Sequence, residues 1–361
     1  MKVAIIGTVG VPAKYGGFET LVEQLVKHNS SDEIQYAVYC SKKSYDDERW
    51  VYNGAKTEYV NLNANGMQSV LYDIISLIKA SRKSNAVLIL GVSGCSFLPV
   101  FRLFSKKKLI INIDGLEHRR DKWNKWAKRF LKFSEKKAVK YGDIIISDNK
   151  GIADYVNDEY GVNSELIAYG GDQVLQNLNQ DECDDILSSY GLRSKDYSLG
   201  ICRIEPENNV HVVLEAYSKM PDKKLVFIGN WQKSQYGKDL IKQYSKHHNI
   251  KLLPAQYDLK VLHALRTNCS FYLHGHSAGG TNPSLVEAMF FGVPIIAFDC
   301  VYNRESTEHK ANYFKSADAL ISIISSDKIN FEKNGEDMSE IADRRYRWST
   351  IARQYEALYS K

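Results

Sequence analysis

The chain has 361 residues, of which 44% are hydrophobic and 25% are charged. These values are ordinary for a globular protein and exclude a disordered or fibrous chain, and the length suits two domains of roughly 150 to 200 residues. The formal net charge of +5 is unevenly distributed, because residues 101–141 contain fourteen Lys or Arg against four Asp or Glu. We therefore expect one basic face, formed by the first half of the chain.

The N-terminal segment and the cysteines indicate a cytoplasmic protein. Residues 1–10, MKVAIIGTVG, are typical of a first β-strand and not of a signal peptide. The six cysteines are scattered singly, without a CxxC pair, so we expect reduced thiols and no metal site. The uncharged stretch 84–101 has about the length of a membrane span, but glycines, serines and Pro99 interrupt it. We interpret its apolar part as a buried strand.

Short β-branched runs alternate with segments of helical period, which indicates the α/β class with parallel sheets. In the first half we predict strands at residues 3–7, 34–40, 86–90, 109–113 and 143–148, and a further strand at 166–171. Helices are expected to begin near Phe18, Met67, Lys122 and Gly151.

A polar segment at residues 172–196 has no strong apolar stripe, and we interpret it as a linker. The strand pattern then restarts, with strands predicted at residues 197–203, 224–229, 250–254, 270–275 and 293–299. The C-terminal segment carries an apolar stripe of helical period that must be buried. We therefore predict two doubly wound domains, residues 1–172 and 173–345, and a C-terminal helix, residues 346–361, that packs back on the first domain.

The first segment with chemical potential is a glycine-containing turn between a strand and a helix, in which Gly16 and Gly17 precede Phe18. Such glycines let backbone N–H groups and the positive helix end approach a phosphate. The alternative is that the pair only makes a tight turn. The spacing is not GxGxxG, so the dinucleotide fingerprint is absent.

A second strand, polar loop and helix occupy residues 273–299. The loop residues Gly279, Gly280, Thr281 and Asn282 precede Pro283, which suits a first helical position, so the loop and Ser284 are candidates for holding a diphosphate. Glu287 follows one turn into the helix, where a carboxylate can accept two hydrogen bonds from a ribose diol. The alternative for Glu287 is an exposed helix residue without a ligand.

Two further clusters follow predicted strands. Arg203 lies at the carboxyl end of a strand, where ligands bind in open α/β sheets, and its guanidinium suits a phosphate; a plain surface arginine is the alternative. Asp114, Glu117 and His118 follow the strand at 109–113 and are candidates for binding sugar hydroxyls or assisting proton transfer. They are equally explained as turn and cap residues.

A basic amphipathic helix is predicted from residue 122 onward. Lys122, Trp123, Trp126 and Arg129 lie in a pattern that favours an anionic membrane surface, with the aromatic rings at headgroup level. Core packing of the aromatic residues is the alternative. Nucleic acid is not expected as a partner, because no known binding module accompanies the charge.

Two of these segments carry a family resemblance that extends over nearly the whole chain. They read GTVGVPAKYGGFET from residue 7 and HGHSAGGTNPSLVEAM from residue 274. The chain resembles the retaining glycosyltransferases of family four, which have the GT-B fold of two facing Rossmann-like domains. Within that family it is most similar to bacterial rhamnosyltransferases of capsule and O-antigen assembly.

The resemblance implies roles for individual residues. Gly16 and Gly17 would face the donor phosphates, Arg203 would contact the diphosphate, and Glu287 would hold the nucleotide ribose. The loop at residues 279–282 would contact the donor sugar and phosphate, and Asp114 stands near where many members have a histidine beside the reacting sugar.

Three positions depart from the pattern of related enzymes. Gly279 stands where the wider family usually has a glutamate, eight residues before Glu287. Asn208 stands where that family tends to have a lysine, and we still assign it to the donor site. Both changes are shared by the rhamnosyltransferase subgroup. Val9 stands where that subgroup usually has arginine, which leaves substrate choice open.

The function implied by the resemblance is metal-independent sugar transfer with retention, in a cleft between the two domains and without a cofactor. The donor would be dTDP-rhamnose, with UDP- or GDP-sugars as alternatives, and the acceptor a lipid-linked saccharide at the inner face of the cell membrane. Two other readings remain open, a sugar-nucleotide epimerase of the same fold and a non-catalytic basic protein that binds membranes or nucleic acid.

Overall fold

The computed structural model describes residues 1–14, 16–119 and 123–360. The chain forms two compact units, of which unit 1 is Met1–Tyr169 with Trp348–Lys361 and unit 2 is Gly170–Arg347. Each unit contains one sheet of mainly parallel strands with helices between them. The predicted α/β class with two Rossmann-like halves is therefore confirmed.

The sheet of unit 1 has the strand order β3-β4-β2-β1-β5-β6-β7-β8. Its strands are β1 (Lys2–Ile6), β2 (Gln35–Ser41), β3 (Val51–Tyr52), β4 (Ala55–Val60), β5 (Ala86–Leu90), β6 (Lys108–Asn112), β7 (Ile144–Ser147) and β8 (Glu165–Leu166). All pairs are parallel except β3 with β4. The chain order changes direction beside β1, which lies between β2 and β5.

Helices connect these strands because apolar residues recur at helical spacing and face the sheet. They are α1 (Gly17–Lys27), α2 (Ser69–Lys83), α3 (Leu98–Phe104), α4 (Lys125–Tyr141) and α5 (Lys150–Tyr160). Strand β5, AVLIL, is buried along its whole length, as expected for a central parallel strand covered on both faces. The apolar part of the uncharged stretch 84–101 is thus a core strand. Among the described residues, no helix is long and apolar enough to cross a membrane.

Unit 2 has a sheet of order β11-β10-β9-β12-β13-β14, with strands β9 (Tyr197–Ile201), β10 (Lys224–Gly229), β11 (Ile250–Pro254), β12 (Phe271–His274), β13 (Ile295–Phe298) and β14 (Asn312–Phe314). Its helices are α6 (Gln180–Ser189), α7 (Val210–Ser218), α8 (Gln235–Tyr244), α9 (Leu259–Thr267), α10 (Pro283–Met289), α11 (Val301–Ser306), α12 (Ala317–Ile324) and α13 (Phe331–Arg345). All five strand pairs of this sheet are parallel.

The last helix, α14 (Trp348–Ser360), belongs to unit 1. Its apolar stripe is buried in the core of that unit at Trp348, Ile351, Tyr355 and Leu358. The side-chain amide of Asn112 on β6 donates a hydrogen bond to the Tyr355 hydroxyl at 2.9 Å. Tyr346, which shares the stripe in the sequence, is buried in unit 2 instead, where its hydroxyl donates to the Ser306 carbonyl at 2.7 Å.

Three sequence predictions differ from the structure. The linker predicted at 172–196 is wrong for residues 180–189, because α6 begins at a capping box of Asn179 and Glu182 and buries Cys183 and Leu187. The strand predicted at 166–171 is limited to Glu165–Leu166. Strands β3, β4 and β14 were not predicted, since each is short or carries charged residues.

Candidate functional site

The strand order of unit 2 changes direction between β9 and β12, which pair side by side. Ligands of open α/β sheets bind outside the carboxyl ends of the strands at such a point. The loop 202–209 follows β9 and the loop 275–282 follows β12. Both predicted motifs of unit 2 therefore lie where the topology favours a ligand.

The loop after β9 is held in place by its own side chains. The Asn208 side-chain amide donates to the Arg203 carbonyl at 2.7 Å, and the Ile204 backbone N–H donates to Asn230 Oδ1 at 3.0 Å. Asn208 is buried. The Arg203 side chain is 38% exposed, and one guanidinium nitrogen lies 3.9 Å from Glu205. The backbone of this loop is thus fixed by the buried Asn208 side chain, while the Arg203 guanidinium can reach a ligand.

Hydrogen bonds join this loop to the loop after β12. The Asn209 side chain donates to the Gly275 carbonyl at 2.9 Å, and the backbone N–H and hydroxyl of Ser277 donate to the Glu207 carbonyl at 3.0 and 2.8 Å. A Cβ atom on Gly275 would lie 2.1 Å from the Asn208 carbonyl oxygen, so only glycine fits. The two loops therefore form one continuous edge.

The start of α10 uses its first N–H groups internally. The Asn282 side chain accepts from the Ser284 N–H at 3.1 Å and from its hydroxyl at 2.9 Å, and the Leu285 N–H donates to the Asn282 carbonyl. Pro283 has no N–H to offer. Backbone donors for a ligand must therefore come from the loop itself, where Gly279 has φ +110° and Thr281 is buried. Gly280 lies half-buried between them.

Glu287 is not the exposed helix residue that the sequence left open as an alternative. Its side chain is 17% exposed, and each carboxylate oxygen has a donor: Gln173 Nε2 at 2.8 Å and Arg266 Nη2 at 2.5 Å. Burial raises the pKa of Glu287 above its ordinary value, and the Arg266 charge and the two hydrogen bonds only partly offset that shift.

Sequence reasoning missed both partners of Glu287. The sequence did contain a signal for Arg266, because it lies four residues after Leu262 and directly after Leu265, on the face of α9 that is buried. An arginine in an apolar phase of a helix indicates a buried charge with a partner. Gln173 carried no such signal, since it lies in the polar segment that was interpreted as a linker.

A cavity of about 370 Å³ opens at the carboxyl ends of β10 and β11. It is lined by backbone and side chains that include Gly229, Asn230, Trp231, Ile241, Leu252 and Pro254. The indole N–H of Trp231 donates to the Leu253 carbonyl at 2.8 Å and fixes this ring. Asn230 connects the cavity to the Arg203 loop through its bond to Ile204. An apolar pocket with a few polar groups suits a flat ring system.

In unit 1 the predicted glycine turn follows β1, at the point where the strand order changes. Gly16 has φ +131° and precedes α1, and a Cβ atom there would lie 2.1 Å from Glu19 Oε2. Glu19 Oε1 accepts from the Val9 N–H at 3.0 Å and from the Thr8 hydroxyl at 3.2 Å. The Glu19 carboxylate thus occupies the first turn of α1 and holds the preceding loop. Its position next to Gly16 explains on structural grounds why a glycine stands there. Gly17, the first residue of α1, lies near the Tyr169 ring.

The three candidate catalytic residues of unit 1 have different surroundings. Asp114 adopts φ +62°, and its N–H donates to Asn112 Oδ1 at 3.0 Å. Glu117 accepts from the Trp123 indole N–H at 3.1 Å. His118 Nδ1 lies 2.9 Å from Glu135 Oε2.

Glu135 on α4 is a buried carboxylate that orients His118. Its side chain is 2% exposed, and it accepts hydrogen bonds from the hydroxyls of Tyr155 and Tyr160 at 2.7 and 2.6 Å. Burial alone would raise the pKa of Glu135, but the bonds from His118, Tyr160 and Tyr155 outweigh burial and lower the pKa. An ionised Glu135 accepts a hydrogen bond from His118 Nδ1, which fixes the orientation of the ring and leaves Nε2 for a second contact.

The predicted membrane-facing residues separate into two kinds. Trp126 is 77% exposed, with the Arg129 guanidinium 5.4 Å from its ring centre. Trp123 is only half-exposed and bonded to Glu117. Lys122 lies outside the described residues. Helix α3, which packs against α4, adds exposed apolar residues that sequence reasoning did not single out: Val100, Leu103 and Phe104.

Known families match both halves of the chain. Residues 1–172 match a family described as a domain of unknown function (DUF1972), and residues 188–342 match the family of glycosyl transferases group 1. No curated protein matches the chain.

Solved structures share the fold over the full length. Sucrose-phosphate synthase from Thermosynechococcus elongatus is 14% identical with a TM-score of 0.81, covering 99% of this chain and 98% of that one. HepE of Anabaena in complex with UDP-glucose is 13% identical with a TM-score of 0.75, covering 100% and 99%. The catalytic domain of starch synthase IV from Arabidopsis thaliana, bound to ADP and acarbose, is 14% identical with a TM-score of 0.70, covering 99% and 98%.

The fold is that of the GT-B glycosyltransferases, with two Rossmann-like α/β units. The family match of unit 2 supports glycosyltransferase activity. In that unit the matched residues include the joined loops, Arg203 and Glu287.

Proposed function

We propose that the protein transfers a sugar, with retention at the anomeric carbon, from a nucleoside diphosphate donor to a lipid-linked saccharide in cell-surface polysaccharide synthesis. The observation that carries this proposal is the pair of joined loops in unit 2, with the Arg203 side chain and the Glu287 carboxylate beside them. A guanidinium for a diphosphate and a carboxylate for a sugar ring are the groups that a nucleoside diphosphate requires.

Each part of the donor has a proposed partner in unit 2. Arg203 binds the diphosphate, and the loop at residues 279–282 with Ser284 contacts phosphate and donor sugar. Glu287 accepts a hydrogen bond from a hydroxyl of the nucleoside sugar. The cavity beside Trp231 takes the nucleobase, because it is largely apolar and connected to the Arg203 loop through Asn230. Asn208 supports the Arg203 backbone.

The proposed reaction is metal-independent and needs no cofactor. The acceptor hydroxyl attacks the anomeric carbon on the face from which the diphosphate leaves, and a donor phosphate oxygen takes the hydroxyl proton. Arg203 and backbone N–H groups stabilise the charge that develops on the leaving diphosphate. In unit 1, Asp114, Glu117 and His118 are proposed to bind acceptor or sugar hydroxyls. The His118 ring, oriented by Glu135, is suited to form a hydrogen bond with such a hydroxyl.

The donor is proposed to be dTDP-rhamnose, as the resemblance implies. Neighbouring folds were solved with UDP-glucose or ADP, so these nucleotides are the competitors to test. Thermal-shift measurements with dTDP-, UDP- and GDP-sugars decide between them, because a bound ligand stabilises the native state by mass action. We expect dTDP-rhamnose to give the largest shift. A dominant shift with GDP-mannose would contradict the rhamnose assignment, and interconversion of sugars without acceptor would show an epimerase.

The acceptor is proposed to be reached at an anionic membrane surface. The basic apolar face, defined as the exposed residues Val100, Leu103 and Phe104 of α3 and Trp126, Phe130 and Phe133 of α4 with the lysines and arginines between them, supports this proposal. Exposed apolar side chains can enter the headgroup region, while the cations attract anionic lipids. The protein would then lie on the inner face of the cell membrane as a peripheral protein.

A further inference from the structure

Glu287 is held from two sides by residues of different elements. Gln173 comes from a short 3-10 helix, Asp172–Val174, and bonds Oε1 at 2.8 Å, while Arg266 comes from the last turn of α9 and bonds Oε2 at 2.5 Å. Because each oxygen has its own donor, the carboxylate cannot rotate about its terminal bond without breaking both hydrogen bonds.

The backbone around Glu287 enforces this arrangement. Gly171 passes so close to α10 that a Cβ atom there would lie 2.9 Å from the Glu287 nitrogen and from the Val286 carbonyl. The Gly171 N–H also donates to the Tyr346 carbonyl at 2.8 Å. Only glycine permits this approach, which brings Gln173, two residues later, to the carboxylate.

Burial of the Arg266 side chain carries a large desolvation free energy. Its side chain is 2% exposed, and its Nε and Nη1 atoms have no hydrogen-bond partner. A buried cation with unmet donors is unfavourable for stability compared with an apolar residue of similar size. An unsatisfied buried group of this kind requires an explanation, and a role at a binding site is one that fits here. Its one strong bond goes to Glu287, so its role concerns that carboxylate.

We propose that Arg266 and Gln173 are positioning residues that hold the Glu287 carboxylate in one orientation, so that it accepts a hydrogen bond from the 3′-hydroxyl of the nucleoside sugar. The inference rests on the proposed function, because it deepens the donor site. Each carboxylate oxygen can accept more than one hydrogen bond, so the oxygens bonded to Gln173 and Arg266 can still accept one from a ligand hydroxyl. Thymidine and uridine diphosphates both carry the 3′-hydroxyl, so Glu287 held by Arg266 and Gln173 would contact donors of either class.

The test compares nucleotides that differ by this one hydroxyl. Thymidine 5′-diphosphate and 3′-deoxythymidine 5′-diphosphate are titrated calorimetrically against the wild type, Arg266→Gln, Arg266→Lys and Gln173→Ala, and uridine 5′-diphosphate and 3′-deoxyuridine 5′-diphosphate form a second pair. Arg344→Gln is the matched control, because Arg344 forms exposed ion pairs with Glu308 and Glu340 in the same unit.

We expect Arg266→Gln to weaken binding of the 3′-hydroxyl nucleotide roughly ten- to hundredfold and to leave the 3′-deoxy nucleotide nearly unchanged. Arg266→Lys restores part of the loss, Gln173→Ala loses about fivefold, and Arg344→Gln behaves as the wild type. If Arg266→Gln loses equal affinity for the 3′-hydroxyl and the 3′-deoxy nucleotide, the inference is overturned. If Arg266→Gln does not fold, unchanged affinity of Gln173→Ala for the 3′-hydroxyl nucleotide overturns it instead. Either result leaves the proposed function standing. If the wild type binds no nucleoside diphosphate, the proposed function fails, and the inference fails with it.

Discussion

The side-chain amide of Asn208 lies 2.7 Å from the Arg203 carbonyl oxygen and donates to it from a buried position. The wider family that the chain resembles tends to have a lysine at position 208. The contact shows what asparagine does there, since it fixes the backbone of the residue whose side chain faces outward. The backbone of Arg203 is therefore fixed independently of its side chain. The contribution of the Arg203 guanidinium to binding can be tested without disturbing the fold.

Replacement of Arg203 by glutamine should weaken diphosphate binding and leave stability unchanged. The side chain is 38% exposed, with Glu205 as a distant partner at 3.9 Å, so little folding free energy depends on it. Loss of a charge-assisted hydrogen bond should lower the affinity for a nucleoside diphosphate roughly tenfold or more. Calorimetric titration measures this, with the nucleoside alone as the control ligand. An equal loss for the nucleoside would show that Arg203 does not act on the phosphates.

Replacement of His118 by glutamine should slow transfer and preserve donor binding. The ring is oriented by Glu135, and its proposed role lies with hydroxyl groups rather than with the nucleotide. Misplacement of the acceptor hydroxyl can slow transfer by up to about a hundredfold. The measurement is the rate of nucleoside diphosphate release with an isolated lipid-linked acceptor, beside the thermal shift with donor. Unchanged release would leave His118 with a purely structural role in the Glu135 cluster.

Membrane binding should depend on the basic apolar face. We expect the double variant Leu103→Ser with Trp126→Ser to lose most binding to vesicles containing anionic lipid, because these side chains are 84% and 77% exposed and each would bury apolar area worth about 1.5 to 3 kcal/mol. Co-sedimentation measures it. Trp50→Ser is the control, since Trp50 is 78% exposed outside this face. Binding that survives the double variant, or fails equally in the control, would contradict the assignment.

Stability should fall as pH rises through neutrality, because of Asp73 on α2. This residue is 6% exposed, accepts from the Gly94 N–H, and burial raises its pKa to about 8. The folded state thus holds a proton that the unfolded state releases near pH 4. Between about pH 4 and pH 8 the contribution of Asp73 to the free energy of unfolding should decline, by at most about 1.4 kcal/mol per pH unit.

The variant Asp73→Asn should remove this decline, since the amide imitates the protonated carboxyl and its oxygen can still accept from Gly94. Denaturant unfolding of both proteins at pH 5 and pH 8.5 gives the comparison. We expect similar stability at pH 5 and a more stable variant at pH 8.5. A wild type that is as stable as the variant at pH 8.5 would show that Asp73 is ionised in the folded protein at no cost.

Much of the fold could be predicted from local sequence pattern. The apolar runs at residues 86–90 and 109–113 became β5 and β6 within one residue, because buried parallel strands carry an unbroken β-branched signal. The glycine loop at residues 279–282 was placed correctly between a strand and a helix, since Pro283 marks a first helical position.

The hairpin of β3 and β4 was missed although a signal existed. Asn53 and Gly54 both adopt positive φ, at 46° and 83°, and Asn-Gly between two short strands is the usual mark of such a turn. The charged residues Lys56 and Glu58 on β4 concealed the strand, because β4 lies next to the sheet edge, beside the two-residue strand β3, where fewer apolar residues are needed.

The partners of the candidate residues could not be predicted, since they come from distant positions. Arg266 meets Glu287 across 21 residues and Gln173 meets it across 114, while Glu135 meets His118 across 17. No local pattern links such pairs, and only the packing of α9, α10 and α4 brings them together. Residue types indicated the chemistry, but the structure was needed to see which side chains are already engaged.

Hydrogen exchange with and without a nucleoside diphosphate tests the central claim most directly. The claim is that the joined loops after β9 and β12 form one ligand site, so the amides of residues 203–209 and 275–287 should be protected together when thymidine or uridine diphosphate is added. Protection should disappear from both loops at once in Arg203→Gln at the same ligand concentration. Ligand-induced protection that spares both loops, or that appears in one loop without the other, would contradict the account.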